Sequence, residues 1–112
     1  MTAPAPPRPG SPAIRYGQVW ESRSEVIGTS RYLVVSSDAY NSVFGDRRVI
    51  AVEVDSHAIY EGAYREPIPD AGTAHLDRIV WMARGRLVER VAELHPDRHA
   101  AVAETIPDLI GP

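Results

Sequence analysis

The stretch Arg31 to Asn41, RYLVVSSDAYN, constrains this chain more than any other. Leu33-Val34-Val35 is a short apolar run closed by Ser36, Ser37 and Asp38, which reads as a strand running into a turn. Asp38 stands where an N-cap accepts from the first free amides of one helical turn, Ala39-Tyr40-Asn41. Such a strand end can hold Arg31 at a fixed edge of a groove. A core strand followed by a capped turn explains the same residues without any function.

Around it the chain divides into short pieces. Gln18 to Ser24 predicts a first strand, with Val19 and Trp20 near its start and polar residues from Glu21 on. Val49 to Val54 predicts a third. Alternation puts Ile50, Val52 and Val54 on its core face and Ala51, Glu53 and Asp55 on the other. His57 to Glu66 reads as a turn and a short strand, and Pro67 to Gly72 as a loop. Leu76 to Ala83 predicts a fifth strand buried on both sides. Arg86 to Leu94 fits a helical spacing (Leu87, Val91, Leu94) as well as a strand. Pro96 suits the first turn of a closing helix, and Pro107 predicts its end or a kink near Thr105. Six or so short strands and one terminal helix predict a mainly β fold, a small barrel with helical decoration.

A chain of 112 residues suits a single domain with one small core. Its 44% apolar and 24% charged residues are ordinary for a soluble protein. There is no cysteine, no apolar run of membrane-span length and no apolar secretory core, so a cytoplasmic protein is expected. All twelve basic residues are arginine and the net charge is −3. A net negative chain is a poor non-specific nucleic-acid binder, so any such role needs a local arginine-lined site. Five of the ten prolines fall before Ala13, which predicts an unfolded, extended tail over residues 1–14 and a domain over 15–112. His95 and His99 have metal-ligand spacing, but Pro96 separates them from a common helical face, so no metal or other cofactor is expected.

Taken in order, Gly17-Gln18-Val19-Trp20, Arg31 with LVVSSDAYN, Val49-Ile50-Ala51-Val52, LDRIVW from Leu76, Arg86-Leu87 and Ala92-Glu93-Leu94 form a set that resembles the MazF/PemK family of toxins. The resemblance runs from about Arg15 to Ile110. It implies an SH3-like barrel of the MazF/PemK/CcdB type. It also implies a homodimer, a cognate antitoxin as partner, and metal-independent, sequence-specific cleavage of single-stranded RNA. Arg31 matches the family's catalytic arginine, with Tyr32 where the family usually has proline. The family's catalytic threonine falls at Asp55, with Ser56 beside it. The connection between the first two strands is short for the family, whose glycine-rich loop flanks the RNA groove.

Cleavage of this kind needs a base for the 2′-hydroxyl, a cation for the phosphoryl oxygens and an acid for the leaving oxygen. The candidate catalytic residues are therefore Arg31, Asp55 and Ser56, and the candidate substrate contacts are Trp20, Arg23, His57, Arg78 and Arg84. A carboxylate at Asp55 can act as a base, yet it repels a phosphate by roughly 1 kcal/mol at water-like dielectric. Three outcomes stay open: a catalyst altered at Asp55 and His57, a hydroxyl role moved to Ser56, or lost activity. Asp55-Ser56-His57 also reads as a polar turn, and Arg31 as an ion-pair partner of Glu53 or Asp55. A non-catalytic chain that binds a protein partner, as the related gyrase poisons do, is the alternative.

Overall fold

In a computed structural model, which describes residues 13–56 and 62–111, six antiparallel strands form one curled sheet with a helix at its C-terminal end. The strands are β1 (Gln18–Ser24), β2 (Gly28–Val34), β3 (Arg48–Asp55), β4 (Arg65–Ile68), β5 (Gly72–Ala83) and β6 (Leu87–Glu93). Their order is β4-β5-β3-β2-β1-β6, an open half-barrel with β4 and β6 at the edges. Among the described residues two α-helices accompany the sheet, α1 (Asp38–Phe44) between β2 and β3, and α2 (Pro96–Leu109) after β6.

Each face of the sheet carries a core, and the register assigns each its residues. Val19, Leu33 and Val52 lie in one cross-strand row and form a core with Ile68, Leu76, Leu94 and Val102 of α2. Trp20, Val34, Val49, Met82 and Leu87 form a second core on the other face, which the curl of the sheet itself encloses. The third strand is thus apolar on both sides: Val49 and Ala51 are fully buried, although the alternation reserved their face for polar residues. The fifth strand shows the reverse. Met82 is buried, but Trp81 is 64% and Ile79 37% exposed, so the strand predicted to be covered twice carries an uncovered apolar row.

Ser37, not Asp38, caps α1: its side chain accepts from the Tyr40 amide. The Asp38 carboxylate accepts instead from the Tyr16 amide at 2.8 Å, fastening α1 to the chain ahead of β1. Ile14, read as part of the tail, packs into the second core, whereas residues 1–12 lie outside the described residues.

The ambiguous segment after Arg86 is a strand, because pairing with β1 and burial of Leu87 outweigh its helical spacing. His95 caps α2, its Nδ1 accepting from the Asp97 amide at 3.1 Å. Arg98 binds Glu66 of β4 with two hydrogen bonds of 2.8 and 3.0 Å, which locks α2 against the sheet edge. The helix runs through Pro107 to Leu109 rather than stopping near Thr105. Ile106 and Leu109 pack on the core, which favours the last turn despite the donor that Pro107 lacks.

Candidate active site

A cleft of about 590 Å³ opens where β2 begins, β3 ends and β5 starts. Its walls carry Arg31, Asp55, Ser56, His75 and Arg78, with the carboxylates Glu21 and Glu53. The sheet register brings them together: Glu21, Arg31 and Val54 are consecutive partners across β1, β2 and β3, and Asp55 lies opposite Thr73 of β5.

Arg31 is held from two sides. Its Nη1 donates to the Ala71 carbonyl at 2.8 Å, and its Nε approaches Glu21 Oε1 at 3.4 Å. Two of the five guanidinium donors are thereby engaged, and the planar fork is oriented at the cleft wall. The expected partners Glu53 and Asp55 are not the ones Arg31 uses: Glu53 lies 3.8 Å from Arg78 instead.

An irregularity in β5 carries the next residues. Val52 pairs with Ile79 and Val54 with Ala74, so the segment from His75 to Arg78 bulges away from β3. Bulges of this kind re-aim side chains near functional sites. His75 pairs with Arg65 of β4 and is almost fully buried. Burial, with Arg78 and Arg65 nearby, holds its imidazole below the usual histidine range, against smaller opposing effects of Asp55 and Asp77, so the ring is neutral at physiological pH. Sequence reading passed over His75 because it started the strand at Leu76. Only a strand beginning at Gly72 puts Thr73 and His75 on one face.

Gly72 sets the distance between β5 and the catalytic candidates. It adopts φ +127°, and a Cβ there would overlap the Asp55 carbonyl oxygen. Gly72→Ala should therefore destabilise the protein by more than about 1 kcal/mol, as chemical denaturation would measure, because the new side chain has neither the conformation nor the room.

The neutral His75 makes a second prediction. Its folded value lies below the ordinary 6.5, so the unfolded chain binds the proton first. Its contribution to stability is complete above about pH 6.5 and is lost as pH falls from there through the folded value. Thermal unfolding between pH 7.5 and 5 should show this decline in the wild type and a flatter profile in His75→Gln.

The remaining candidates lie elsewhere. Trp20 is 2% exposed in the second core, its Nε1 donating to Gln18 Oε1 at 3.0 Å, so it has no surface to offer a substrate. Arg84 stacks on the Trp20 ring, 4.8 Å from its centroid, and donates to the Leu87 carbonyl at 2.9 Å. Both have structural roles. Arg23 pairs with Glu89 at 2.9 Å and reaches Glu21 at 3.6 Å, beside the cleft but not lining it. His57 lies outside the described residues. Arg78, 56% exposed in its side chain, does line the cleft.

The sequence matches no protein-family model and no curated protein. Solved structures do match. MazF bound to MazE from Deinococcus radiodurans superposes with a TM-score of 0.70 at 25% identity, covering 90% of this chain and 98% of that one. MazF alone from the same organism gives 0.67 at 25% identity over 91% and 100%. The chain shares the fold of MazF toxins. An endoribonuclease in complex with its cognate antitoxin, from a mycobacterial species, shares the fold at TM-score 0.68 and 21% identity, over 89% of this chain and 100% of that one. The six-stranded half-barrel and the closing helix are thus those of the MazF toxin fold. Among the described residues, no helix is long and apolar enough to cross a membrane.

Proposed function

We propose that the chain is the toxin of a toxin–antitoxin pair and cleaves single-stranded RNA without a metal. The observation that carries this reading is Arg31, oriented by Glu21 and the Ala71 carbonyl on the wall of a cleft that also holds Asp55, Ser56 and Arg78. Preorganised donors aimed at developing charge supply a large share of catalysis in such sites.

In this mechanism Arg31 and Arg78 receive the phosphoryl oxygens. Asp55 takes the 2′-hydroxyl proton while the 2′-oxygen bonds to phosphorus, and Ser56 donates a hydrogen bond to the same phosphate. The bond from phosphorus to the 5′-oxygen breaks, and that oxygen takes a proton from water in the open cleft. The products are a 2′,3′-cyclic phosphate and a 5′-hydroxyl. The neutral His75 adds no charge to compete for the phosphate.

A second copy of the chain and a small antitoxin are proposed partners, and the cytoplasm the proposed compartment. The uncovered Ile79 and Trp81 on β5 are apolar surface that a partner chain would bury.

One observation favours the alternative of a non-catalytic, protein-binding toxin fold: Glu21, Glu53 and Asp55 outnumber the two cleft arginines. Incubation of the purified, antitoxin-free protein with a long mixed-sequence RNA in EDTA separates the two. Discrete fragments with 5′-hydroxyl ends are expected. Intact RNA after incubation with folded protein would sink the nuclease reading and select the binding one.

A further inference from the structure

The cleft holds three carboxylates, and a site for an anionic phosphate has to give each of them a reason. Glu21 is the partner of Arg31 and Arg23, its side chain only 13% exposed. Asp55 is the proposed base. Glu53 remains. Its side chain is 45% exposed, and the Arg78 nitrogen 3.8 Å away is too far for a hydrogen bond.

Glu53 has a particular companion. Tyr32 is its cross-strand partner, so the two side chains stand side by side on one face of the sheet, Cβ atoms about 5 Å apart. Both line the cleft. Tyr32 packs partly against the core around Trp20, which fixes its ring while leaving part of it open. One residue back, Arg31 and Val54 point to the opposite face, so the phosphate-holding arginine and the Tyr32–Glu53 pair flank the strand ends from two sides. A nucleotide lying across those ends would present its phosphate to Arg31 and its base to Tyr32 and Glu53.

We infer that Tyr32 stacks on, and Glu53 selects, a guanine directly flanking the scissile phosphate, a specificity that rests on the nuclease reading above. A carboxylate only accepts hydrogen bonds, through two oxygens side by side. Guanine alone among the four bases presents two adjacent donors, N1–H and the N2 amino group, on its Watson–Crick edge. The match is bidentate and charge-assisted. Adenine and cytosine set one amino donor beside an acceptor nitrogen, which repels the second oxygen. Uracil flanks its single N–H with two carbonyls. Single-stranded RNA leaves this edge free to be read while the base stacks on an aromatic ring.

The test sequences the ends produced from a randomised RNA pool by the wild type and by Glu53→Gln. At one flanking position, guanine should exceed uracil by about tenfold or more in the wild type. Glu53→Gln should abolish most of that bias while cleavage continues. Replacing the guanine by inosine removes the N2 donor. It should lower wild-type kcat/KM by about fivefold or more and leave Glu53→Gln nearly unaffected. Guanine bias absent from the wild type, insensitivity to inosine, or bias unchanged in Glu53→Gln would overturn the inference and leave the nuclease reading standing. Wild-type protein that cuts no RNA would overturn that reading instead. Fluorescence anisotropy with uncleavable 2′-O-methyl oligonucleotides, guanine against inosine, then decides base selection on its own. The guanine bias and the inosine effect in the wild type need no variant, so a Glu53→Gln variant that fails to fold leaves the inference testable.

Discussion

Arg31→Ala should lower kcat/KM for RNA cleavage by about 10²–10³-fold, the usual effect of removing one preorganised donor from a developing anion. The cation is specific to its place. Its Nη1 is tied to the Ala71 carbonyl and its Nε faces Glu21, so the remaining donors are aimed before substrate arrives. Arg31→Lys keeps a charge but cannot hold both contacts and still present a planar fork to the phosphate. It should recover only a small part of the loss. Arg31→Ala also removes the Glu21 contact. With the arginine side chain 27% exposed, that contact is partly screened, and the cost in stability should stay within about 1 kcal/mol. Single-turnover cleavage, measured beside circular dichroism and thermal unfolding, separates the two effects. Wild-type cleavage by a folded Arg31→Ala variant would remove Arg31 from the chemistry, and with it the mechanism proposed for this cleft.

The same arginine shows what a linear reading can and cannot reach. Its position at the start of an apolar run, and the turn after that run, are local features, and both are legible in RYLVVSSDAYN. Its partners are not. Glu21 lies ten residues upstream and Ala71 forty residues downstream, and only the register of β1, β2 and β3 and the start of β5 bring them to the guanidinium. The strand alternation likewise presumed one wet and one dry face. The curl of the sheet encloses a second core, so Val49 and Ala51 are buried where polar surroundings were expected, while Ile79 and Trp81 are left open. His75 was missed for a related reason. A bulge in β5 has no compositional signature here, and the chain before Leu76 reads as loop until its pairing with β4 is known. At the other end, Pro107 is a strong local stop signal that lost to the packing of Ile106 and Leu109 on the core.

Trp20→Ala should cost about 3–5 kcal/mol, the range for emptying a large buried aromatic site. The motif around Trp20 suggested a substrate contact, but the structure spends this side chain entirely on the fold. Its ring is 2% exposed among Ile14, Val34, Val49, Met82 and Leu87, contributed by four strands and the chain ahead of β1. Its Nε1 satisfies Gln18, which also accepts from the Arg15 amide and so ties the entry of the chain to β1. Arg84 loses its aromatic platform in the same substitution. Burial already holds the Arg84 guanidinium somewhat below its ordinary value, so an emptied pocket beside it worsens the packing of a partly desolvated cation. For a domain of this size the loss corresponds to a fall in Tm of more than about 10 °C. Trp20→Phe keeps most of the volume and gives up the Nε1 hydrogen bond, so it should cost less and cleave RNA at close to the wild-type rate below its own unfolding temperature. If instead Trp20→Phe left Tm unchanged and abolished cleavage, the indole would have to reach substrate, and the placement of the RNA on the cleft face of the sheet would be wrong.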